Sequence, residues 1–395
     1  MLDTRLRVLL FDSDLASPTL IDDLTQNVQG LKFSTALHGG FQKCTFSVSL
    51  SLADSWLYLS ESAKIPGRHF SRLVIYEEKT VIWEGRLMDI SLSLQSKATG
   101  EGFHGIKIVA FGYWSSLRDQ FYSDDDGSRT DWTSGSGHQA SDIIKEILTA
   151  ECPSISSDQS NITTNSRDLA GIDLSIREYP QDIIVKKIAP LSDSDNEKWQ
   201  FAIWENRVPY WSARSITTLD YRIRLEDTGG ITLTQGAAEL RNSIIPLVGS
   251  TEGTTVNDAT SQSFYPVREF LFTLPTGANA NSQGDAATAL SADRSNPLQT
   301  QRFQITGHVY KVTAGSTGGS LEEVPKYHMR AGQTLRIDDL VPATITSPTF
   351  DRLRTFQIVQ TEYDADTDTI FIQPDTIPRS LYNILADLGD LEAPR

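Results

Sequence analysis

CTFSVSLSL, residues 44–52, is the stretch of this 395-residue chain that decides the fold class. Phe46, Val48, Leu50 and Leu52 alternate with Ser47, Ser49 and Ser51, so extended backbone sends the two sets to opposite faces. That is the pattern of a strand buried on one side. Cys44 continues the apolar set and reads as a core thiol. Working outward, RLRVLLF (5–11), LKFSTAL (31–37), RLVIYE (72–77), TVIWEGRLMDISLSL (80–94) and IKIVAFGYW (106–114) are rich in β-branched and aromatic residues. Turn signals separate them at Gly39-Gly40, at Glu78-Lys79 and from Gly100 to Gly105. Short helical breaks are expected near 19–28 and 53–59.

A polar, acidic segment, YSDDDGSRTDWTSGSGH (122–138), closes this β region as a loop. SDIIKEILTA (141–150) then places Ile143, Ile144, Ile147 and Leu148 on one helical stripe, stopped by Pro153. A second helix is expected with Pro180 in its first turn, Ile183, Ile184 and Ile188 as its stripe, and Pro190 as its end. WQFAIWE and VPYWSAR (199–205, 208–214) read as a hairpin around Asn206, followed by DYRIRL (220–225). Residues 135–235 thus form a small α+β unit.

Strands return at ELRNSIIPLVG (239–249), RFQITGHVYKV (302–312), QTLRIDDLV (333–341), RTFQIVQTEY (354–363) and TIFIQP (369–374). Residues 276–296 read as a loop around a short alanine-rich helix. After Pro378, Leu381, Ile384, Leu385 and Leu388 stand at helical spacing, with Gly389 as the stop. Such a helix has to dock its stripe on this chain or a neighbour.

Composition narrows the function. The charge is −16, from 35 basic and 51 acidic residues, and this disfavours nucleic acid as the main ligand. MLDTRLRVLLFDSD has only the apolar run Val8 to Phe11, too short for a secretory signal, and no segment has the ~20 apolar residues of a membrane-spanning helix. Folding in a cytoplasm is expected. Two cysteines, Cys44 and Cys152, make no disulfide framework.

Chemical motifs are sparse. Gly100, Gly102 and Gly105 spell a dinucleotide fingerprint, but a strand follows where a helix N-terminus is needed, so a hairpin loop is expected. Asp364, Asp366 and Asp368 have the alternate spacing of a calcium loop. Thr369 and Asp375 stand where such a loop needs Gly and Glu, so a solvated hairpin tip is read ahead of a weak cation site. His38, His69, His104, His138, His308 and His328 show no zinc spacing. Trp204, Tyr210 and Trp211 could line a sugar groove, although core packing is their commoner use. No catalytic, cofactor-binding or metal-ligating residue is assigned, and the chain is read as a partner-binding protein, not an enzyme.

Several of these segments together carry a resemblance. Gly39-Gly40-Phe41 with CTFSVSL, the hairpin LVIYEEKTVIWEGRLMDIS with Gly85 after Trp83-Glu84, IVAFGYWSSLRD, the helix–helix–hairpin unit from Ser141 to Arg214, and TFQIVQTEYDADTDTIFIQPDTIPRSLYNILADL are similar to tail hub or baseplate hub proteins of tailed bacteriophages. These are relatives of the hub in contractile tails and in the VgrG part of type VI secretion spikes. Residues 250–300 carry none of the resemblance.

It implies a mainly β fold with an α+β insert: tube-like antiparallel β-barrel or sandwich domains, a small helix-and-hairpin domain and a C-terminal helix. The expected divisions are 1–120, 135–235, 236–375 and 376–395. It further implies a homotrimeric ring at the distal end of the virion tail. Its partners would be the tail tube or distal tail ring, the tape-measure protein, and a spike, fibre or receptor-binding protein. The hydrolase appended in many relatives is not carried over. A hexameric distal tail protein and a carbohydrate-binding or carbohydrate-cleaving tail component are the alternatives.

Overall fold

A computed structural model describes residues 5–12, 18–49, 70–94, 104–125, 129–132, 138–164, 169, 171–192, 199–214, 218–235, 240–274, 280–295, 298–313, 320–342, 344 and 353–375. The expected helices near 53–59 and after Pro378 lie outside these residues.

The first seven strands are β1 (Leu6–Phe11), β2 (Leu20–Asp23), β3 (Val28–Ala36), β4 (Gly39–Ser49), β5 (Arg72–Glu77), β6 (Thr80–Leu94) and β7 (His104–Phe111). They pair antiparallel in the order β3-β4-β7-β6-β5-β1-β2. Within β4, Cys44, Phe46 and Val48 are buried, while Thr45, Ser47 and Ser49 are half-buried, as the alternation requires. The helix expected near 19–28 is instead β2 and a single 3-10 turn, Thr25–Asn27. Asp23 explains it: its carboxylate accepts both the amide and the hydroxyl of Thr25, a local turn that competes with helix.

The second unit begins with a 3-10 segment, Tyr113–Arg118, and helix α1 (Ala140–Glu151), which buries Ile143, Ile144, Ile147 and Leu148. Helix α2 runs through Pro180–Asp182, a π-helical stretch Ile183–Ile188, and Ala189–Ser192. Pro190 therefore sits inside it and does not end it. The widened π turn just before accommodates a residue that cannot donate the regular bond. Strands β8 (Trp199–Ile203) and β9 (Pro209–Ala213) form the expected hairpin, with Asn206 at φ 57°.

The remaining strands are β10 (Tyr221–Arg224), β11 (Leu233–Gln235), β12 (Ser243–Val248), β13 (Thr251–Glu252), β14 (Val256–Asn257), β15 (Glu269–Leu274), β16 (Leu298–Thr300), β17 (Phe303–Ile305), β18 (Val309–Val312), β19 (Leu321–Val324), β20 (Thr334–Asp338), β21 (Thr355–Asp364) and β22 (Thr369–Pro374). Helices α3 (Ala259–Phe264) and α4 (Ala280–Arg294) fall among them. RFQITGHVYKV is two strands, not one, because the chain breaks at Gly307. There the amides of Thr306 and Gly307 bond the Asp227 carbonyl, and a Cβ on Gly307 would collide with the Asp227 side chain. Helix α4 is longer than the short one expected. Its buried face is alanine (Ala286, Ala287, Ala289), which an apolar-stripe reading does not register.

The chain's first and last strands share one sheet. β21 pairs antiparallel with β3 and extends the path through β20, β10 and β18 to β19, while β22 and β17 add beside β21. The pairs β10–β20, β4–β8 and β12–β15 are parallel, so the sheets are mixed. One core joins residues from Leu6 to Ile372. A second, isoleucine-rich core fills the α+β unit and reaches Leu274 and Ala286 beyond it. The fold is mainly β with a smaller helical part.

Candidate functional site

Charges meet where three parts of the chain converge. Glu84, on β6, is 0% exposed. One of its oxygens accepts from Arg72 Nε on β5 at 2.9 Å, and the other from the backbone N–H of Asn206 at 2.6 Å. The left-handed backbone of Asn206 presents that amide to the carboxylate. Arg207 lies 3.8 Å from the same carboxylate and 4.3 Å over the Tyr113 ring. Burial pushes the Glu84 carboxyl above its ordinary range, against the pull of Arg72, the Asn206 amide and Arg207.

Arg330 brings in the third part. It donates to Glu205 at 2.8 Å and to the Val81 carbonyl at 2.6 Å, and its guanidinium lies over Phe41 and Trp204. Beside it, Gly40 (φ 78°) lets β8 approach β4 in parallel: a Cβ there would collide with the Ile203 carbonyl oxygen. Gly85 is similarly closed in by the Phe111 carbonyl and Trp83. These are the glycines that the sequence singles out, and both mark close backbone approach.

A second clasp sits at the end of β5. Glu77 accepts from Tyr327 Oη at 2.7 Å and pairs with His328 Nε2. Both arrangements fix segments to one another. Neither offers an open reacting centre.

The three aspartates of the acidic motif stand at the turn between β21 and β22, where Asp364 and Asp368 are each held by a different lysine. Asp364 pairs with Lys32 at 2.8 Å and accepts the Asp366 amide at 3.0 Å; Asp368 pairs with Lys326 at 2.6 Å and accepts from Tyr363 Oη at 3.0 Å. Burial raises the Asp364 carboxyl, but Lys32 and the Asp366 amide outweigh it and hold it below the usual range. Among the described residues, no group of three or more His, Cys, Asp or Glu side chains is placed to hold a metal.

The histidines are dispersed. His38 contacts Arg214, His138 packs edge-on against Trp132, His308 pairs with Glu323, and His328 with Glu77. Cys44 and Cys152 are buried, and burial pushes the Cys152 thiol up to about 12. Trp211 is fully buried 5.3 Å from Trp199, and Trp204 meets Phe41 edge-on at 5.1 Å, so these rings fill cores. Of the glycine fingerprint, His104 and Gly105 open β7, a strand. A shallow groove along α1 is lined by Arg129, Lys145, Glu146, Thr149 and Ala150; in it Glu146 accepts from Tyr122 and Thr130, and Arg129 pairs with Glu151.

The surface that remains is made of sheet edges. Among the described residues β2 pairs only with β1, and β19 only with β18. Each edge shows one leucine, Leu20 at 50% and Leu321 at 46% exposure, beside two carboxylates: Asp22 and Asp23, Glu322 and Glu323. The sequence reading did not find these edges, because strand order is non-local. The acid pairs inside short strands were the available signal.

The architecture has counterparts among solved structures. The 43 kDa tail protein of prophage MuSo2 from Shewanella oneidensis aligns with a TM-score of 0.55 at 11% identity, over 94% of this chain and 97% of that one. The tail protein from Neisseria meningitidis MC58 aligns with a TM-score of 0.58 at 10% identity, over 93% and 95%. The chain shares the fold of these two tail proteins. This shared fold agrees with the resemblance in the sequence. A chain of the Francisella PdpA–VgrG complex gives a TM-score of 0.40 at 10% identity, over 95% of this chain and 53% of that one, a likeness too low to assign a fold. No family model and no curated protein matches the chain. No helix among the described residues is long and apolar enough to cross a membrane.

Proposed function

We propose that this chain is a structural hub subunit at the distal end of a bacteriophage tail. Three copies form a ring that continues the tail tube. The ring links the tube or distal tail ring and the tape-measure protein to a spike, fibre or receptor-binding component. Assembly takes place in the host cytoplasm. The protein works by burying interfaces, not by catalysis.

One observation carries the reading: a single sheet, built from both ends of the chain, ends among the described residues in strands paired with one neighbour only, β2 and β19 at the two ends of its main path. Rings of like subunits cover such edges with neighbours. The carboxylates on both edges oppose direct stacking of edge on edge, so closure strengthens as salt screens them. A net charge of −16 also suits a channel through which a phosphate backbone slides without sticking.

The test is light scattering with negative-stain microscopy at low and high ionic strength. A three-copy ring with a central hole, favoured by salt, is the expected result. Six copies would favour a distal-tail type of ring. A monomer at every ionic strength would overturn the proposal.

A further inference from the structure

The acidic loop that follows the N-terminal sheet contains one side chain that the fold leaves incomplete. Its sequence is DDDGSRTD (124–131), with carboxylates at both ends and a glycine between them. Asp124 is 9% exposed, and its Oδ2 is sealed from solvent and accepts no hydrogen bond. A buried carboxylate oxygen without a donor is costly, and folded proteins rarely keep one.

The surroundings add to that cost. The Trp132 amide bonds the Asp124 carboxylate, which brings the backbone at Asp131 beside it. Burial raises the Asp124 carboxyl above its ordinary range, and the Asp131 and Asp125 carboxylates push the same way, against the Trp132 amide. Arg129 lies between these residues in sequence but is engaged with other groups. Its guanidinium donates to the Ser123 carbonyl, pairs with Glu151 and lies 4.8 Å over the Tyr122 ring.

The loop is anchored from outside. The Asp124 amide donates to the Leu174 carbonyl at 3.2 Å, and the Ser123 hydroxyl to the Ser175 carbonyl at 2.7 Å. At the other end, the Gly171 amide donates to the Trp132 carbonyl at 3.1 Å. One segment, 171–175, therefore holds both ends. Carboxylates whose backbone is fixed in advance lose little freedom when they take a ligand.

The groups offered at this place are oxygens, namely the Asp124 and Asp131 carboxylates and main-chain carbonyls. Oxygen donors with net negative charge select a hard cation of the calcium type, which tolerates irregular geometry and completes its shell with water. Two carboxylates can therefore suffice.

We propose that Asp124 and Asp131 hold a calcium-type cation, which gives the buried Asp124 oxygen its partner and pins the loop to the α+β unit. With so few charged ligands the affinity falls in the weak range, about 10⁻⁴–10⁻³ M. The site does not depend on the ring.

Terbium tests this in the full chain, because it occupies calcium sites and luminesces when a neighbouring tryptophan is excited, and Trp132 stands beside this one. Titration is expected to give sensitised luminescence that excess calcium displaces. Asp124→Asn should abolish it, Asp131→Asn should weaken calcium competition about tenfold, and Asp364→Asn, in the other acidic motif, should leave it unchanged. Calcium should also raise the melting temperature of the parent but not of Asp124→Asn. Luminescence that persists in Asp124→Asn would overturn the proposal. So would a parent whose melting ignores calcium, a result that would leave Asp124 holding a proton instead.

Discussion

Carboxylates do opposite work in two regions of this molecule. At the junction, Glu84 is sealed from water and holds Arg72, the turn at Asn206 and Arg207 in one arrangement. At the sheet edges, Asp22, Asp23, Glu322 and Glu323 sit at or near the surface on strands that pair on one side. The first set specifies an internal contact; the second discourages an external one. Burial makes the difference, because a charge stripped of water is tolerable only with its partners in place, whereas a charge on an edge repels its like at little internal cost.

The sharpest way to break this comparison is Glu84→Ala. It strands Arg72 and Arg207 and should cost about 3–5 kcal/mol, read as a shift in denaturant midpoint. A loss as small as that from an edge variant would erase the distinction. Ile147→Ala, in the second core with no charge involved, should cost about 2–4 kcal/mol by cavity formation, again measured in denaturant. It sets the scale that a buried charge has to match.

Smaller effects separate surface ion pairs from both. Asp364→Asn should cost about 1 kcal/mol or less. In the fold the Asp364 and Asp23 carboxyls titrate below their ordinary range. Burial raises each, but bonds from Lys32 and the Asp366 amide at one, and from Thr25 and Arg7 at the other, prevail. Their contribution is thus present above the unfolded value near ~4 and lost as pH falls through the lower folded value. Thermal melts between about pH 5 and 2 should show that loss, reduced in Asp364→Asn. Least of all, Asp22→Asn with Glu322→Gln should move stability by no more than about 0.5 kcal/mol. Its effect belongs in self-association: sedimentation at low salt should show the variant assembling where the parent does not.

Local patterns in the sequence carried the local structure. Alternation in 44–49, the isoleucine stripe of α1 and the turn at Asn206 are all written within a few residues of where they act. Helix α4 was underread because alanine packs closely without looking apolar enough to form a stripe. The continuation of α2 past Pro190 depended on a π turn that no residue type announces. Parallel pairs such as β10–β20 join residues more than a hundred positions apart, and no periodicity reports them. The junction lay between these cases. Glu84 inside the apolar run VIWEGRLM is out of place for a strand core, and that misfit pointed to a partner without naming Asn206, 122 residues away.

The zipper between β3 and β21 sets a timetable for synthesis. The Thr35 and Thr361 hydroxyls meet at 2.7 Å across 326 residues of sequence. A ribosome adding roughly 5–20 residues per second makes that wait about 15–60 s long. Throughout it the nascent N-terminal sheet has an open margin along β3, available to chaperones and to wrong strands alike. Yield in a host should therefore depend on elongation rate and growth temperature more than the finished protein's stability would suggest.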